Sequence, residues 1–230
     1  MGLRWIAAFM IALFAGPVYA DDKTVLKTQK DKVSYSIGLD IGSSFKRQSV
    51  DVDLEIVMKG INDALSGKKA LLTDDEVREV MTAFQKEMRA KEETRMKGLS
   101  EKNKKEGEAF LAENKKKEGV VTLPSGLQYK VITAGAGETP KAADTVTTHY
   151  RGTLLDGTEF DSSYKRNQPA TFPVNGVIAG WTEALQLMKV GSKWQLFIPS
   201  NLAYGDRGTG SAIGPNATLI FEVELISIKK

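Results

Sequence analysis

The residues able to do covalent chemistry are scarce in this sequence. The 230-residue chain has no cysteine and a single histidine, His149. Thiol nucleophiles, disulfide staples, Cys-ligated zinc and a lipid-modified N-terminal cysteine are therefore excluded, and no His-rich metal site or histidine relay can be built. Aromatic side chains are plentiful instead. Tyr150, Phe160, Phe172, Trp181, Tyr204 and Phe221 fall in one stretch of the chain, more than a domain of ~110 residues needs for packing alone, although packing is the default role of any one of them. Such a set suits the wall of an apolar pocket.

That stretch must be folded by strands. Residues 127–133, 143–155, 192–198 and 217–228 alternate as half-buried strands do, with Leu219, Phe221, Val223 and Leu225 on one face. Trp181, Ala184, Leu185 and Met188 recur at intervals of three and four residues, so a short helix is expected between Gly180 and Met188. An antiparallel sheet wrapped on one short helix is an α+β solution, and its concave side is where a pocket would form. On the strand through Tyr150, His149 points to the opposite face and reads as structural.

The first half is composed differently. Residues 21–118 hold no proline and four aromatics, whereas residues 119–230 hold ten aromatics and every proline after residue 20. Helices are expected before the divide. Tyr35, Ile37, Leu39, Ile41 and Phe45 precede a stripe of Leu54, Val57, Met58, Ile61 and Leu65, with Asp53 as its N-cap and Gly67 as its stop. A third helix opens at Thr73-Asp74-Asp75-Glu76, a capping-box pattern, and continues as Val77, Val80, Met81, Phe84 and Met88. Beyond Met88 the stripe thins into mixed charge, which reads either as a long solvated helix or as a charged disordered linker. A helix from Thr73 to Lys117 would extend about 68 Å and hold the two halves apart. Three apolar stripes in so short a segment make a thin core, so a homodimer through residues 21–90 is expected, with Gly38-x-x-x-Gly42 permitting close approach; a small helical cap on the second half is the alternative.

Arg4, the apolar run from Trp5 to Phe14 and the small residues flanking Tyr19 form the tripartite plan of a secretory signal cleaved after Ala20. The run is shorter than the roughly 20 residues of a membrane span. The expected organisation is thus a signal peptide at 1–20, a helical dimerisation segment at 21–72, a long connecting helix at 73–118 and an α+β domain at 119–230. Periplasmic location follows, with outer-membrane association or surface exposure as further options. The net charge of +3, from 32 basic and 29 acidic residues, lacks the concentrated basic excess of a nucleic-acid binder.

Five blocks then carry a resemblance: Thr148-His149-Tyr150-Arg151-Gly152, Asp156-Gly157-Thr158-Glu159-Phe160-Asp161-Ser162-Ser163, Gly180-Trp181-Thr182-Glu183-Ala184-Leu185, Leu202-Ala203-Tyr204-Gly205, and Ala217 through Leu225. In this order they resemble the FKBP-type peptidyl-prolyl isomerases over residues 119–230. With the signal and helical extension, the whole chain resembles the macrophage infectivity potentiator branch, in which the extension dimerises and a long helix carries the isomerase domain.

The resemblance implies an FKBP-like sheet wrapped on its helix and acceleration of Xaa-Pro isomerisation in exported proteins. Trp181 matches the family's pocket floor, Tyr150, Phe160 and Phe221 its aromatic walls, and Val177, Ile178 and Ile213 its aliphatic contacts. Tyr204 matches a tyrosine whose hydroxyl donates to a substrate carbonyl, and the Ile178 N–H a second donor. Asp161 matches a carboxylate facing the rotating amide, with Arg166 and Tyr150 as its orienting partners. Tyr150, Asp161 and Tyr204 thus stand as catalytic candidates and the others as substrate-binding ones. The implied partners are proline-containing unfolded polypeptides and macrolide inhibitors. Ala170, Thr209 and Gly214 depart from frequent family residues, which bears on flap rigidity and macrolide affinity.

The chemistry agrees with the inventory of residues. Twisting an amide forfeits resonance against a barrier of ~18–20 kcal/mol, but breaks no bond. No nucleophile, metal or cofactor is required. A turnover of order 10³ s⁻¹ corresponds to a barrier near ~13 kcal/mol, leaving roughly 6 kcal/mol for the site to supply selectively to the twisted form. A dry apolar pocket disfavours the more dipolar planar amide. Trp181 and Phe221 could alternatively be plain core, Asp161 an Asx turn before Ser162-Ser163, and the chain a non-catalytic dimeric chaperone for unfolded clients.

Overall fold

The computed structural model describes residues 25–210 and 212–229; the expected signal peptide lies outside them. The chain divides into two compact units between Thr73 and Asp74.

In the first unit, helix α1 spans Gln29–Gln48 and helix α2 spans Leu54–Ser66. Thr28 caps α1 reciprocally: its hydroxyl accepts from the Asp31 N–H, and the Asp31 carboxylate accepts from the Thr28 N–H. Asp53 caps α2 by accepting from the N–H groups of Glu55 and Ile56, and Gly67 ends it in the left-handed conformation. Neither helix buries a residue. Val33, Tyr35, Ile37, Leu39, Ile41, Leu54, Ile56, Met58, Ile61 and Leu65 are all exposed. On α1 these apolar residues advance two at a time, which places them on both sides of the helix rather than along one stripe.

The second unit begins with α3, Asp74–Asn114, 41 residues and about 62 Å long. The charged stretch is helical, not a disordered linker. Nor is it solvated throughout. Met96, Leu99, Asn103, Gly107, Phe110 and Asn114 recur every three or four residues and are half-buried or buried, as are Ser100 and Leu111 beside them, whereas the other residues from 91 to 113 are exposed. This face rests on the β-sheet unit. Phe110 meets Phe197 with ring centroids 5.8 Å apart, Asn114 Nδ2 donates to Gln128 Oε1 at 3.0 Å, and Gln128 Nε2 donates back to the Leu111 carbonyl. Gly107 lies so close to Thr218 that a β-carbon there would collide with the threonine hydroxyl. The last turns of α3 are therefore built into the β-sheet unit, and hydropathy patterning misses this stripe because glycine and asparagines occupy its closest contacts.

Seven strands follow: β1 (Val120–Thr122), β2 (Gln128–Thr133), β3 (Thr145–Thr153), β4 (Glu159–Ser162), β5 (Ala170–Pro173), β6 (Lys193–Ile198) and β7 (Leu219–Lys229). They form one antiparallel sheet in the order β1-β2-β6-β7-β3-β4, with β5 pairing the other end of β3. The expected α+β architecture is present. The strands at 128, 145, 193 and 219 sit where alternation places them. β1, β4 and β5 have three or four residues each, too short for a period of two to stand out.

Alternation decides which side chains reach the interior. Val146, Thr148, Tyr150 and Gly152 of β3 and Leu219, Phe221, Val223 and Leu225 of β7 point inward. Helix α4, Ala179–Leu185, crosses this face and buries Trp181, Ala184 and Leu185 against it. Each fully buried aliphatic side chain contributes roughly 1.5–3 kcal/mol, and the core around Leu127, Leu185, Met188, Leu196, Ile198 and Val223 packs α4 against the sheet.

Candidate functional site

Where α4 meets the sheet, the inward aromatics are not completely covered, and a cleft of about 600 Å³ remains. Its floor is Trp181, 4% exposed. The indole meets Tyr150, Phe172 and Phe221 edge to face, with centroids 5.3, 5.9 and 5.3 Å away and interplanar angles of 86°, 84° and 81°. Perpendicular packing against three rings fixes the indole plane. Its N–H is buried and has no hydrogen-bond partner among the described residues.

Tyr150 reaches the cleft from β3, Phe160 and Asp161 from β4, Phe172 from β5 and Phe221 from β7. Val177 and Ile178 arrive just before α4, and Tyr204, Thr209, Ala212 and Ile213 from the segment between β6 and β7. All the residues singled out from sequence line this one cleft except Arg166, which stands behind it. Trp181 and Phe221 are core and cleft wall at once, so the packing alternative does not compete with contact to a ligand. The resemblance left Phe172 and Ala212 out of the site. Phe172 was visible as an aromatic, but its strand was not; Ala212 carries no chemical signal at all.

Asp161 is held by two donors. Tyr150 Oη donates to Oδ2 at 2.5 Å and Arg166 Nη1 to Oδ1 at 2.5 Å, while Arg166 Nη2 donates to Tyr150 Oη at 2.8 Å. The three side chains close a ring. The guanidinium also lies 5.6 Å from the Tyr150 ring centroid. Partial burial works to raise the Asp161 pKa, but the hydrogen bonds from Tyr150 and Arg166 overcome it and the carboxyl sits below its usual value of 3.8. Burial, reinforced by the Asp161 carboxylate, raises the Tyr150 phenol. The arrangement is a permanent carboxylate with a neutral phenol and a cation locking its direction. The carboxylate is engaged with Tyr150 and Arg166, which is a fuller role than an Asx turn before Ser162 would give it.

Across the cleft, Tyr204 is 38% exposed. Burial first and then the Asp161 charge raise its pKa, so it remains a donor, and no acceptor among the described residues takes its proton. The Ile178 N–H, at the start of α4, is likewise without an acceptor among the described residues. Two free donors and an oriented carboxylate therefore surround an apolar floor. His149 turns away, with Nδ1 3.0 Å from Ser163 Oγ and its ring stacked on Tyr164. That same Ser163 hydroxyl accepts from the Tyr150 N–H at 2.8 Å, so His149 belongs to the support of β3.

Comparison with known proteins accounts for nearly the whole chain. A family described as the domain amino terminal to FKBP-type peptidyl-prolyl isomerase matches residues 30–131, and the FKBP-type peptidyl-prolyl cis-trans isomerase family matches residues 136–226. The chain is 51% identical to the outer membrane protein MIP of Legionella longbeachae over 97% of its own length and 96% of that protein. It is 47% identical to the peptidyl-prolyl cis-trans isomerase Mip of Coxiella burnetii over 99% of both. The crystal structure of FkpA from Escherichia coli is similar at 38% identity and a TM-score of 0.69, covering 89% of this chain and 99% of that one.

Proposed function

This chain belongs to the FKBP-type peptidyl-prolyl cis-trans isomerases, and from that premise we propose that its aromatic cleft seats the proline ring and lowers the barrier to rotation without forming a covalent bond. The observation that carries this reading is the opposition of an oriented, ionised Asp161 to two unpartnered donors, the Tyr204 hydroxyl and the Ile178 N–H, above an apolar floor.

Proline enters with its ring on Trp181 and its carbonyl toward the two donors. The planar amide is the more dipolar form, so exchanging water for aromatic walls disfavours it relative to the twisted form. As the preceding carbonyl rotates out of conjugation, its charge distribution changes next to Asp161. A carboxylate that is already oriented stabilises that change without reorganising. No proton moves. Removing only the Tyr204 hydroxyl, as Tyr204→Phe, is expected to lower kcat/KM for a proline-containing tetrapeptide about three- to tenfold, the worth of one hydrogen bond, with the fold unchanged by circular dichroism. An unaltered kcat/KM would remove the donor role. The same cleft would take a macrolide, which should compete with the tetrapeptide.

The first unit supports a second role. Apolar side chains on both sides of α1 and along α2 suit a helix surrounded by neighbours rather than one facing water. We propose that a second copy of this chain supplies those neighbours through residues 21–90, giving a dimer whose paired clefts hold unfolded clients with added avidity. The wild-type chain should sediment at twice its chain mass, and Ile37→Glu, which places a charge amid the exposed apolar residues, should sediment as a monomer at micromolar concentration while retaining tetrapeptide activity. A monomeric wild type would sink the dimer.

Clients of this kind are exported proteins, in keeping with the expected signal peptide and with the Legionella relative's being an outer membrane protein. No helix among the described residues is long and apolar enough to cross a membrane.

A further inference from the structure

One wall of the cleft is made by a loop, not by the sheet. Thr209, Ala212 and Ile213 face the aromatic floor, and the segment carrying them runs from Gly205 to Thr218. Among its described residues the Thr209 N–H donates to the Ile213 carbonyl at 2.8 Å with a weaker return at 3.3 Å, and the Asn216 N–H donates to the Gly205 carbonyl at 2.8 Å. Gly205, Gly208, Gly210 and Gly214 give this segment little intrinsic stiffness, so the loop needs support from elsewhere.

The support comes from α3. Asn103 Nδ2 donates to the Pro215 carbonyl at 2.8 Å, and Asn216 Nδ2 donates to Ser100 Oγ at 2.7 Å. These two bonds join residues more than a hundred positions apart and pin two adjacent residues near the end of the loop to the helix. Beside them, Leu99 covers Gly214 so closely that a β-carbon there would lie 3.0 Å from the leucine Cδ2 and 3.2 Å from Asn103 Nδ2. One helical turn on, Gly107 lets the helix lie directly against Thr218 at the end of the loop. Ala212 lines both the aromatic cleft and a second hollow, of about 660 Å³, between α3 and this loop. The loop is thus a partition with substrate expected on one side and α3 on the other.

We propose that α3 is part of the isomerase site: Ser100, Asn103 and Gly107 are positioning residues that hold the Gly205–Thr218 loop so that Ala212 and Ile213 close the cleft around the residues flanking proline. This rests on the aromatic cleft being the proline site. None of the three touches substrate. Their effect falls on how tightly the cleft closes and on which side chain it accepts next to proline, while the Asp161, Tyr150 and Arg166 ring, carried by β3 and the segment from β4 onward, is untouched.

The test uses the full chain with two tetrapeptides that differ only in carrying alanine or leucine before proline. Asn103→Asp keeps the side-chain size but replaces the donor with a carboxylate oxygen facing the Pro215 carbonyl. It should raise KM about three- to tenfold, as expected for a lost hydrogen bond, with kcat within about twofold, and shift the leucine-to-alanine ratio of kcat/KM. Gly107→Ala should do the same, and adding Thr218→Ala, which removes the colliding hydroxyl, should return both values toward wild type. Ser100→Ala should follow Asn103→Asp in part, whereas Ser100→Thr keeps the acceptor and should match wild type. A uniform fall in kcat/KM that tracks lost folded protein would overturn the positioning role, as would unchanged KM and residue preference in Asn103→Asp and Gly107→Ala. Trp181→Ala run alongside separates the premise. If it is inactive while the α3 variants are normal, the proposal alone fails; if it retains wild-type activity, the cleft itself is not the site.

Discussion

Trp181→Ala should abolish most of the isomerase activity and cost the protein much of its stability margin. The indole is buried against three perpendicular rings, and replacing such a side chain by alanine typically costs about 3–5 kcal/mol. Against a typical ~5–15 kcal/mol of domain stability that loss leaves a folded protein from the middle of the range upward, and the assay is read on the folded fraction. A proline ring carries three methylenes at ~0.8 kcal/mol each, so a floor that no longer keeps them from water forfeits about 2 kcal/mol of binding to the twisted form, roughly thirtyfold in kcat/KM. Urea unfolding and the tetrapeptide assay measure the two effects separately. Trp181→Phe, which keeps an aromatic floor, should fall between. If Trp181→Ala lost its stability but kept kcat/KM within twofold, the indole would be core and nothing more.

Asp161→Asn should cost less stability and comparable or greater activity. The side chain is 43% exposed and its partner Arg166 50%, so the ion pair is screened by water and contributes little to folding. Its electrostatic part in the reaction has no such replacement. Removing one preorganised oxyanion-hole donor costs about 10²–10³ in kcat, and a half-exposed carboxylate that water screens should cost less, about tenfold to a hundredfold in kcat/KM. Arg166 and Tyr150 would then direct a cation and a phenol toward a neutral amide.

The same ring sets the response to pH. The Asp161 pKa lies below 3.8 in the folded protein, so the carboxylate's contribution to stability is complete above the unfolded value and is lost only as pH falls through the lower folded one. The catalytic carboxylate obeys the same limit. Tyr150 and Tyr204 are raised above 10.0 and stay protonated at the other end. Within the range where the protein remains folded, kcat/KM should therefore be flat from about pH 5 to pH 9. A neutral-range inflection that survives in Asp161→Asn would mean that a different group titrates in the mechanism.

How much of this was legible beforehand depended on what kind of signal each part leaves. Asp53 and Gly67 bound α2 because capping is a local act of a few backbone groups, readable from residue types in order. β3 and β7 declared themselves because a strand with one buried face alternates along its length. Tyr150, Phe160, Asp161, Trp181, Tyr204 and Phe221 of the cleft lie in the five ordered blocks, and the absence of cysteine with one histidine had already removed most covalent chemistry. The docked face of α3 left a weaker mark, since its contacts use Asn103, Gly107 and Asn114, which no hydrophobic pattern counts.

The linear order of residues was enough to determine an aromatic, non-covalent site on an antiparallel sheet behind a helical extension, because periodicity, caps and residue inventory are properties of neighbours along the chain. Only the tertiary structure decided the closed ring of hydrogen bonds by which Tyr150 and Arg166 anchor Asp161, that Phe172 joins the wall, and that α3 backs the loop bearing Ile213. Those are distances between segments remote in sequence, fixed when burial of the whole core selects one packing of helix and sheet, and they have no counterpart in any local stretch of the chain.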